Sequence, residues 1–280
     1  METLPYELLD TGDFKRVESI GPYTVIRPAP AAVWSLSKQW GKVDAEFIRK
    51  ASGKGDWKIN NKDFPESWQS PFEGFNFELR RTSFGHLGLF FEHQHCWAPI
   101  FEFIKKQNNI DKPLKALNLF AYTGAATLAL ASKGVEAVHL DASKSSVNWA
   151  RENAALSGMQ DKPIRWIADD AKAFVAKEVR RESKYNIILL DPPTYGRGNK
   201  SQVWKIEEDL QSLLANIKKI LIPGKSMVVL TSHSPGYTPM ALENVLNQIL
   251  SCSKTESFEM AIKAKYGCPL TSGAGAIGYC

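Results

Sequence analysis

Several features are scarce in this 280-residue chain, and each scarcity closes off a class of protein. No run of about 18 apolar residues occurs, so no stretch is expected to cross a bilayer as a helix. Residues 1–14 are acidic and carry no basic segment followed by an apolar one, which gives the expectation of a cytoplasmic chain with no membrane association. The four cysteines, Cys96, Cys252, Cys268 and Cys280, lack CxxC spacing, and without an export signal they are expected to be reduced thiols. His93-Gln94-His95-Cys96 puts metal-type ligands close together, yet no matching second pair exists; no metal is expected, and the run reads as a strand-to-helix turn. Glycine-rich phosphate loops are missing too. The segment Leu119-Phe120-Ala121-Tyr122-Thr123-Gly124-Ala125 holds one glycine, with neither GxGxxG spacing nor a following Gly-Lys-Ser/Thr, which disfavours a pyrophosphate cradle. Internal repeats and low-complexity tracts do not occur.

What is present fits a globular enzyme-sized protein. At 44% hydrophobic the chain can bury a sizeable core, as one large domain or as a catalytic domain with a smaller companion. The net charge is +5; Lys+Arg against Asp+Glu is 14 to 14 in residues 1–110 and 21 to 16 in residues 111–280. The surplus in the second part suits an anionic partner such as RNA, and equally a mildly basic solvated surface.

Residues 1–85 carry Trp34, Trp40, Trp57 and Trp68, short β-type runs at Tyr23–Arg27 and Phe75–Arg80, and frequent Pro/Gly punctuation. They read as a small, mostly β domain whose tryptophans are its core or, alternatively, a surface on which bases stack. Residues 86–280 form the second domain. From Lys115 apolar runs alternate with helical segments: strands at Leu117–Phe120, Ala137–Asp141, Ile164–Ala168, Ile187–Asp191 and Met227–Thr231, and helices at Ala125–Lys133, Lys144–Leu156 capped by Ser143, Ala171–Arg181, Val203–Leu221 and Pro239–Cys252. Nearly continuous apolar strands mean a sheet covered on both faces, and the alternation means an α/β fold with a doubly wound, mainly parallel sheet.

Ligands of such sheets bind beyond the carboxyl ends of the strands. Asp141 ends the second strand, where a carboxylate can accept both hydroxyls of a ribose or cap the next helix. Asp169-Asp170 follows the third strand and Asp191 ends the fourth, so successive strands bring carboxylates to one edge. With a neutral turn beside them, this suits a nucleoside cofactor with a cationic tail. Helix capping cannot explain Asp191, because Pro192 removes a donor and Pro193 repeats the restriction, fixing an extended backbone.

In this order the motifs "LNLFAYTGAATLALASKGVEAVHLDASKSSVNWARENAALSG", "IRWIADDAKAF" and "YNIILLDPPTYGRG" resemble the class I S-adenosylmethionine-dependent methyltransferases, in the branch containing the ribosomal RNA large-subunit methyltransferases. The resemblance implies a seven-stranded sheet, S-adenosyl-L-methionine as cofactor, and RNA methylation, a step of rRNA processing, as the activity. It implies that Phe120, Ala121, Tyr122, Thr123 and Gly124 wrap the methionine part and that Asp141, with Ala142 and Ser143 beside it, binds the ribose. Asp170 and Ala171 would face the adenine, and Asp191 would line both the cofactor and the transfer site. Upstream, "GHLGLFFEHQ" places Phe90, Glu92 and Gln94 beside the cofactor. Asp191, Pro192, Pro193 and Tyr195 would be the catalytic set: an acceptor, a stiff floor, and a ring on which a base stacks. Gly196 and Gly198 would leave a loop carrying Arg197 and Lys200 to a phosphate backbone, unless this is a plain surface loop.

The sequence departs from that branch in two places. Members that methylate cytosine carbon-5 carry a nucleophilic cysteine between two serines after the fifth strand, where this chain reads Ser232-His233-Ser234. Methylation of a base nitrogen needs no covalent adduct, and His233 either serves a proton route or packs. The other departure is that the balanced charge of the N-terminal part is unlike the family's basic RNA-binding domain. Transfer to a protein or a small molecule, or a cofactor-binding scaffold that has lost catalysis, stays open beside the RNA reading. Oligomeric state is not legible.

Overall fold

The computed structural model describes residues 6–51, 53–107, 112–197 and 203–280. The chain divides into two compact units, Met1–Glu92 with Ala261–Ser272, and His93–Met260 with Gly273–Cys280. This differs from a boundary between residues 85 and 86, because the chain divides somewhat later and a segment near its end returns to the first unit. Backbone pairing explains the return. Lys265 and Tyr266 donate their N–H groups to the carbonyls of Leu8 and Leu9, each at 2.8 Å, and the Thr11 hydroxyl donates to the Cys268 carbonyl at 2.7 Å. No local pattern announces hydrogen bonds between segments so far apart in the chain.

In the first unit, strands β1 (Glu7–Gly12), β2 (Lys15–Ile20), β3 (Tyr23–Pro28), β4 (Ala45–Arg49) and β5 (Gly55–Ile59) form one sheet in that order, and β6 (Ser67–Phe72) with β7 (Phe75–Arg80) forms a hairpin. Each of the four indoles finds its partner within this unit: Trp34 donates to the Thr11 carbonyl, Trp40 to the Asp10 carboxylate, Trp57 to the Thr82 carbonyl and Trp68 to the Ile20 carbonyl, at 2.8–3.2 Å. Trp68 is buried, while Trp34, Trp40 and Trp57 are half-buried. In the same unit Glu18 and Arg27 make a buried bidentate pair, Arg27 Nε donating to Oε2 at 2.6 Å and a second guanidinium nitrogen to Oε1 at 2.7 Å, with the Tyr6 hydroxyl donating to Oε1 at 3.1 Å.

The second unit runs α1 (Trp97–Lys106), β8 (Lys115–Leu119), α2 (Ala125–Ser132), β9 (Glu136–Asp141), α3 (Lys144–Leu156), β10 (Ile164–Ala168), α4 (Ala171–Arg180), β11 (Ile187–Leu190), β12 (Tyr195–Arg197), β13 (Val203–Lys205), α5 (Ile206–Ile220), β14 (Met227–Ser232), α6 (Pro239–Leu250), β15 (Lys254–Ile262) and β16 (Leu270–Tyr279). A 3-10 turn, Phe91–Cys96, precedes α1 at the place read as a strand-to-helix turn. The large sheet has seven strands in the order β10-β9-β8-β11-β14-β16-β15. The strands from β10 to β14 pair in parallel, and β16 is antiparallel to β14. The α/β, doubly wound expectation is met. Leu117, Leu119, Ile188, Leu190, Val228 and Leu230 supply the centre of the core against α5 and α6.

Two expectations need correction. Val203–Leu221 is not one helix: Val203–Lys205 pairs with Tyr195–Arg197 as a short antiparallel ribbon, and the helix starts at Ile206. Trp204 is 4% exposed in that ribbon, and Asp209 accepts the Lys205 N–H at 2.9 Å, which fixes where the helix begins. Nor are all four cysteines thiols, since Cys252 and Cys280 form a disulfide. The cause is register: Cys280 exchanges backbone hydrogen bonds with Ser226, and Ser253 donates its N–H to the Tyr279 carbonyl, which brings residues 252 and 280 together. Cys96 is free and buried, Cys268 free and exposed. Among the described residues no helix is long and apolar enough to cross a membrane.

Removing one partner of the Glu18–Arg27 pair strands a buried charge. Glu18→Ala should therefore lower unfolding stability by about 3–5 kcal/mol in urea denaturation, and recovery should require apolar replacement of Glu18, Arg27 and Arg16 together, because Arg16 Nε also lies 3.6 Å from Glu18 Oε2.

Candidate active site

Strand register brings the site residues to one edge. Leu190 pairs with Leu119 on one side and Leu230 on the other, and Leu119 pairs with Leu140. The residues that follow these four are Phe120, Asp141, Asp191 and Thr231, so their side chains leave the sheet at a common level. Phe120, Tyr122 and Gly124 in the turn after β8 have φ of 56°, 49° and 93°. Left-handed backbone at two non-glycine residues costs energy and persists only where neighbours impose it. Asp141 imposes it here. Its Oδ2 accepts the Tyr122 N–H at 2.9 Å and its Oδ1 accepts the Ser143 N–H at 2.8 Å, so one carboxylate ties the β8 turn to the β9 turn. Burial raises the Asp141 pKa, and those two N–H groups oppose the rise. Gly124 opens α2, and a Cβ there would lie 3.0 Å from the Ala150 Cβ; only glycine accommodates both the φ and the contact.

A buried polar chain lies among β8, α2 and β9. Asn118 donates to the Thr127 hydroxyl at 2.9 Å, and that hydroxyl meets His139 Nδ1 at 2.9 Å. Burial pushes His139 down to about 3, with a hydrogen bond to the Tyr122 backbone acting in the opposite sense. The ring is therefore neutral at physiological pH and serves as scaffold.

At the third strand end, Asp170 caps α4 by accepting the Ala173 N–H at 2.9 Å, and Asp169 pairs with Lys177 at 2.7 Å. Ser143 caps α3, accepting the Ser146 N–H at 3.2 Å. Ala142 lies between Asp141 and this cap, and Ala171 is the first, buried residue of α4.

Asp191 sits in a polar cluster with Thr231, His93 and His233. Thr231 donates its hydroxyl to Oδ1 at 2.8 Å; Oδ2 lies 3.4 Å from His93 Nε2 and 3.8 Å from His233 Nε2, and the two imidazole nitrogens are 3.1 Å apart. Burial by itself would raise the Asp191 pKa; the charges of His93 and His233, with hydrogen bonds from His93 and Thr231, outweigh it and hold the carboxyl well below the usual carboxylate range. The following backbone is pinned as well. The Trp204 indole donates to the Pro193 carbonyl at 2.7 Å, Ile206 donates its N–H to the Thr194 carbonyl at 3.1 Å, and the Thr194 and Ser234 hydroxyls share a hydrogen bond of 2.7 Å. Pro192 is buried, Tyr195 is 49% exposed, and Arg197 Nε donates to the Tyr195 hydroxyl at 3.0 Å. Gly198 and Lys200 lie outside the described residues.

Sequence reasoning did not link His93, Cys96, Trp204 or Thr231 to Asp191. Cys96 shares a cavity of about 30 Å³ with His93, Asn118, Asp191 and Thr231. So one thiol does approach the site. Burial, and then the negative charge of Asp191, push that thiol up to about 12, which keeps it protonated and poorly nucleophilic. Of the upstream candidates, Gln94 is half-buried in the 3-10 turn, while Phe90 and the buried Glu92 belong to the first unit.

Five parallel strands extended by an antiparallel one, a glycine-closed turn after the first strand and carboxylates on the next strand ends define the class I methyltransferase fold. The chain belongs to the S-adenosylmethionine-dependent methyltransferase family, whose profile matches residues 24–260. It is similar over 99% of its length to the SAM-dependent methyltransferase of Agrobacterium tumefaciens, with 33% identity, a TM-score of 0.91 and 91% of that chain covered. It is 30% identical over 157 residues, 55% of this chain, to the ribosomal RNA large subunit methyltransferase K/L of Shewanella frigidimarina, and 30% identical over 178 residues, 62% of this chain, to that of Pseudoalteromonas atlantica. The matched part of this chain spans 21% and 24% of those two proteins, less than a quarter of their length.

The neutral His139 gives a pH signature. Its native pKa lies below the unfolded value near 6.5, so the unfolded chain binds the extra proton between the two; stability falls as pH drops from about 6.5 toward 3, by up to about 1.4 kcal/mol per unit. The variant His139→Gln should show a shallower decline between pH 6 and 4 when melts of the two proteins are compared, about one proton fewer in the slope.

Proposed function

We propose that this chain transfers a methyl group from S-adenosylmethionine to a base nitrogen in ribosomal RNA. The observation that carries the reading is the ionised Asp191 carboxylate, braced by Thr231 at a strand end beside the β8 turn, with the nearby Cys96 thiol held protonated. The residues at that edge suit the cofactor. Each Asp141 oxygen uses one lone pair on a backbone N–H and keeps another for a ribose hydroxyl, and the Phe120–Gly124 turn carries no charge that would repel a sulfonium. Asp170 and Ala171 at the third strand end are assigned to the adenine. Bound there, S-adenosylmethionine supplies an electrophilic methyl carbon.

Carbon-5 of a pyrimidine needs a thiolate to activate it, whereas a base nitrogen has its own lone pair. Tyr195 offers an exposed ring for a base turned out of its stack, and the pinned Pro192-Pro193 backbone holds the floor under it. With the methyl group supplied by the bound cofactor, Asp191 Oδ2 would orient the base by accepting a hydrogen bond, and the proton released by the nitrogen would leave through His93 and His233 to solvent. The names of the K/L relatives and the basic surplus of residues 111–280 support RNA as the substrate. The grip on RNA is assigned to phosphate contacts from Arg197 and Lys200.

Two variants separate binding from chemistry. Asp141→Asn should weaken S-adenosylmethionine binding by about 1.5–3 kcal/mol in calorimetry. Asp191→Ala should cut turnover at least about a hundredfold with cofactor affinity nearly unchanged. The opposite pattern would remove both assignments.

The substrate class is read from salt dependence. Affinity for a single-stranded rRNA fragment should fall with a slope of about −0.7 per phosphate contact, and Arg197→Ala with Lys200→Ala should flatten it. Binding insensitive to salt would point instead to a protein or small-molecule acceptor.

A further inference from the structure

The run His93–Cys96, read from sequence as carrying no metal, is broken up by the fold: His95 is exposed, Cys96 is buried, and His93 turns toward Asp191 and His233. These last three come from the 3-10 turn before α1, the end of β11 and the end of β14, and their ligand atoms all lie within 4.8 Å of one another. We propose that His93, Asp191 and His233 form a binding site for a first-row divalent cation of the zinc class.

Geometry is the first argument. His93 Nε2, His233 Nε2 and Asp191 Oδ2 are separated by 3.1, 3.4 and 3.8 Å. The point equidistant from the corners of such a triangle lies about 2.0 Å from each, the length of a zinc–nitrogen or zinc–oxygen bond. A single proton can bridge one of the three pairs, whereas a cation at that point satisfies all three. Two imidazoles and one carboxylate are a zinc or cobalt donor set; magnesium and calcium take oxygen.

The surroundings hold the donors in place. Thr231 occupies Oδ1 of Asp191 and leaves Oδ2 for the centre. A Cβ on Gly273 would stand 3.0 Å from His233 Nδ1 and 2.9 Å from the Ser232 carbonyl, so the bare glycine gives the His233 ring its seat. The side chains of His93, Asp191 and His233 remain 19%, 24% and 29% exposed, which leaves an opening through which water completes the coordination. Because Oδ2 is also the oxygen assigned to the methyl acceptor, a loaded site closes Asp191 to a base. That consequence rests on the proposed methyl transfer; the binding itself does not.

Cobalt(II) titration of the full chain, in a Cys96→Ala/Cys268→Ala background that removes thiolate ligands, tests the site by its visible absorption. One equivalent should give d–d bands of a low-coordinate centre, and zinc should displace it. His93→Ala and His233→Ala, each checked for an unchanged far-ultraviolet spectrum and Tm, should each weaken cobalt binding at least about tenfold. Should either histidine variant unfold, the corresponding Gln replacement takes its place. Absence of the bands, or bands of equal strength in both histidine variants, overturns the proposal whatever the methyl-transfer assay shows. With the site established, stoichiometric zinc should halt methyl transfer and a chelator restore it; failure of that arm alone counts against the assigned role of Asp191, not against the site.

Discussion

Leu190 is hydrogen-bonded in register between Leu119 and Leu230, and all three are buried on a sheet covered on both faces. That lateral pairing sets the rest of the second unit. An apolar interior cannot host an unpaired carboxylate without a penalty of several kcal/mol, so charged groups appear where the strands stop. Equal register at the centre makes β8, β11 and β14 stop at one level, and Phe120, Asp191 and Thr231 become neighbours although the sequence separates them widely. The Thr231–Asp191 hydrogen bond follows directly from the Leu190–Leu230 pairing.

Once at the edge, the polar groups organise one another. The carboxylate of Asp141 accepts from both neighbouring turns and thereby holds Phe120 and Tyr122 in left-handed backbone that would otherwise relax. Trp204 does the same work for the segment after Asp191: its indole holds the Pro193 carbonyl between β11 and β12, and its ring packs 4.9 Å from Phe120. The two stiff turns are thus joined through an aromatic contact. Rigid placement of this kind is what a displacement at carbon requires, since alignment of the three reacting atoms supplies most of the rate.

Cys96 shows how proximity and reactivity come apart. It lines the same small cavity as Asp191, yet burial, and then the field of that carboxylate, keep its sulfur protonated. A helix N-terminus ordinarily makes a thiol more acidic, and Cys96 stands at the N-terminus of α1; burial and the negative charge of Asp191 outweigh that effect. His139 is a parallel case in which burial, rather than chemistry, sets the protonation state.

Much of the second unit was legible from residue order alone. Strand cores, the cap at Ser143 and the break at Asp191-Pro192-Pro193 are encoded locally, because apolar period, a capping hydroxyl and the missing proline N–H act within a few residues. Ile164–Ala168 and Lys144–Leu156 begin and end where their patterns do. What only the tertiary structure decided are the meetings between distant residues: His93 with Asp191 and His233, Trp204 with Pro193, Cys252 with Cys280, and residues 261–272 with β1. Val203–Lys205 was misread for the same reason, since a helical apolar spacing gives way to a ribbon when its tryptophan has a carbonyl to reach in another segment. Local sequence fixes which groups stand at each strand end. Which of them face one another depends on strand register, and register is a property of the folded sheet.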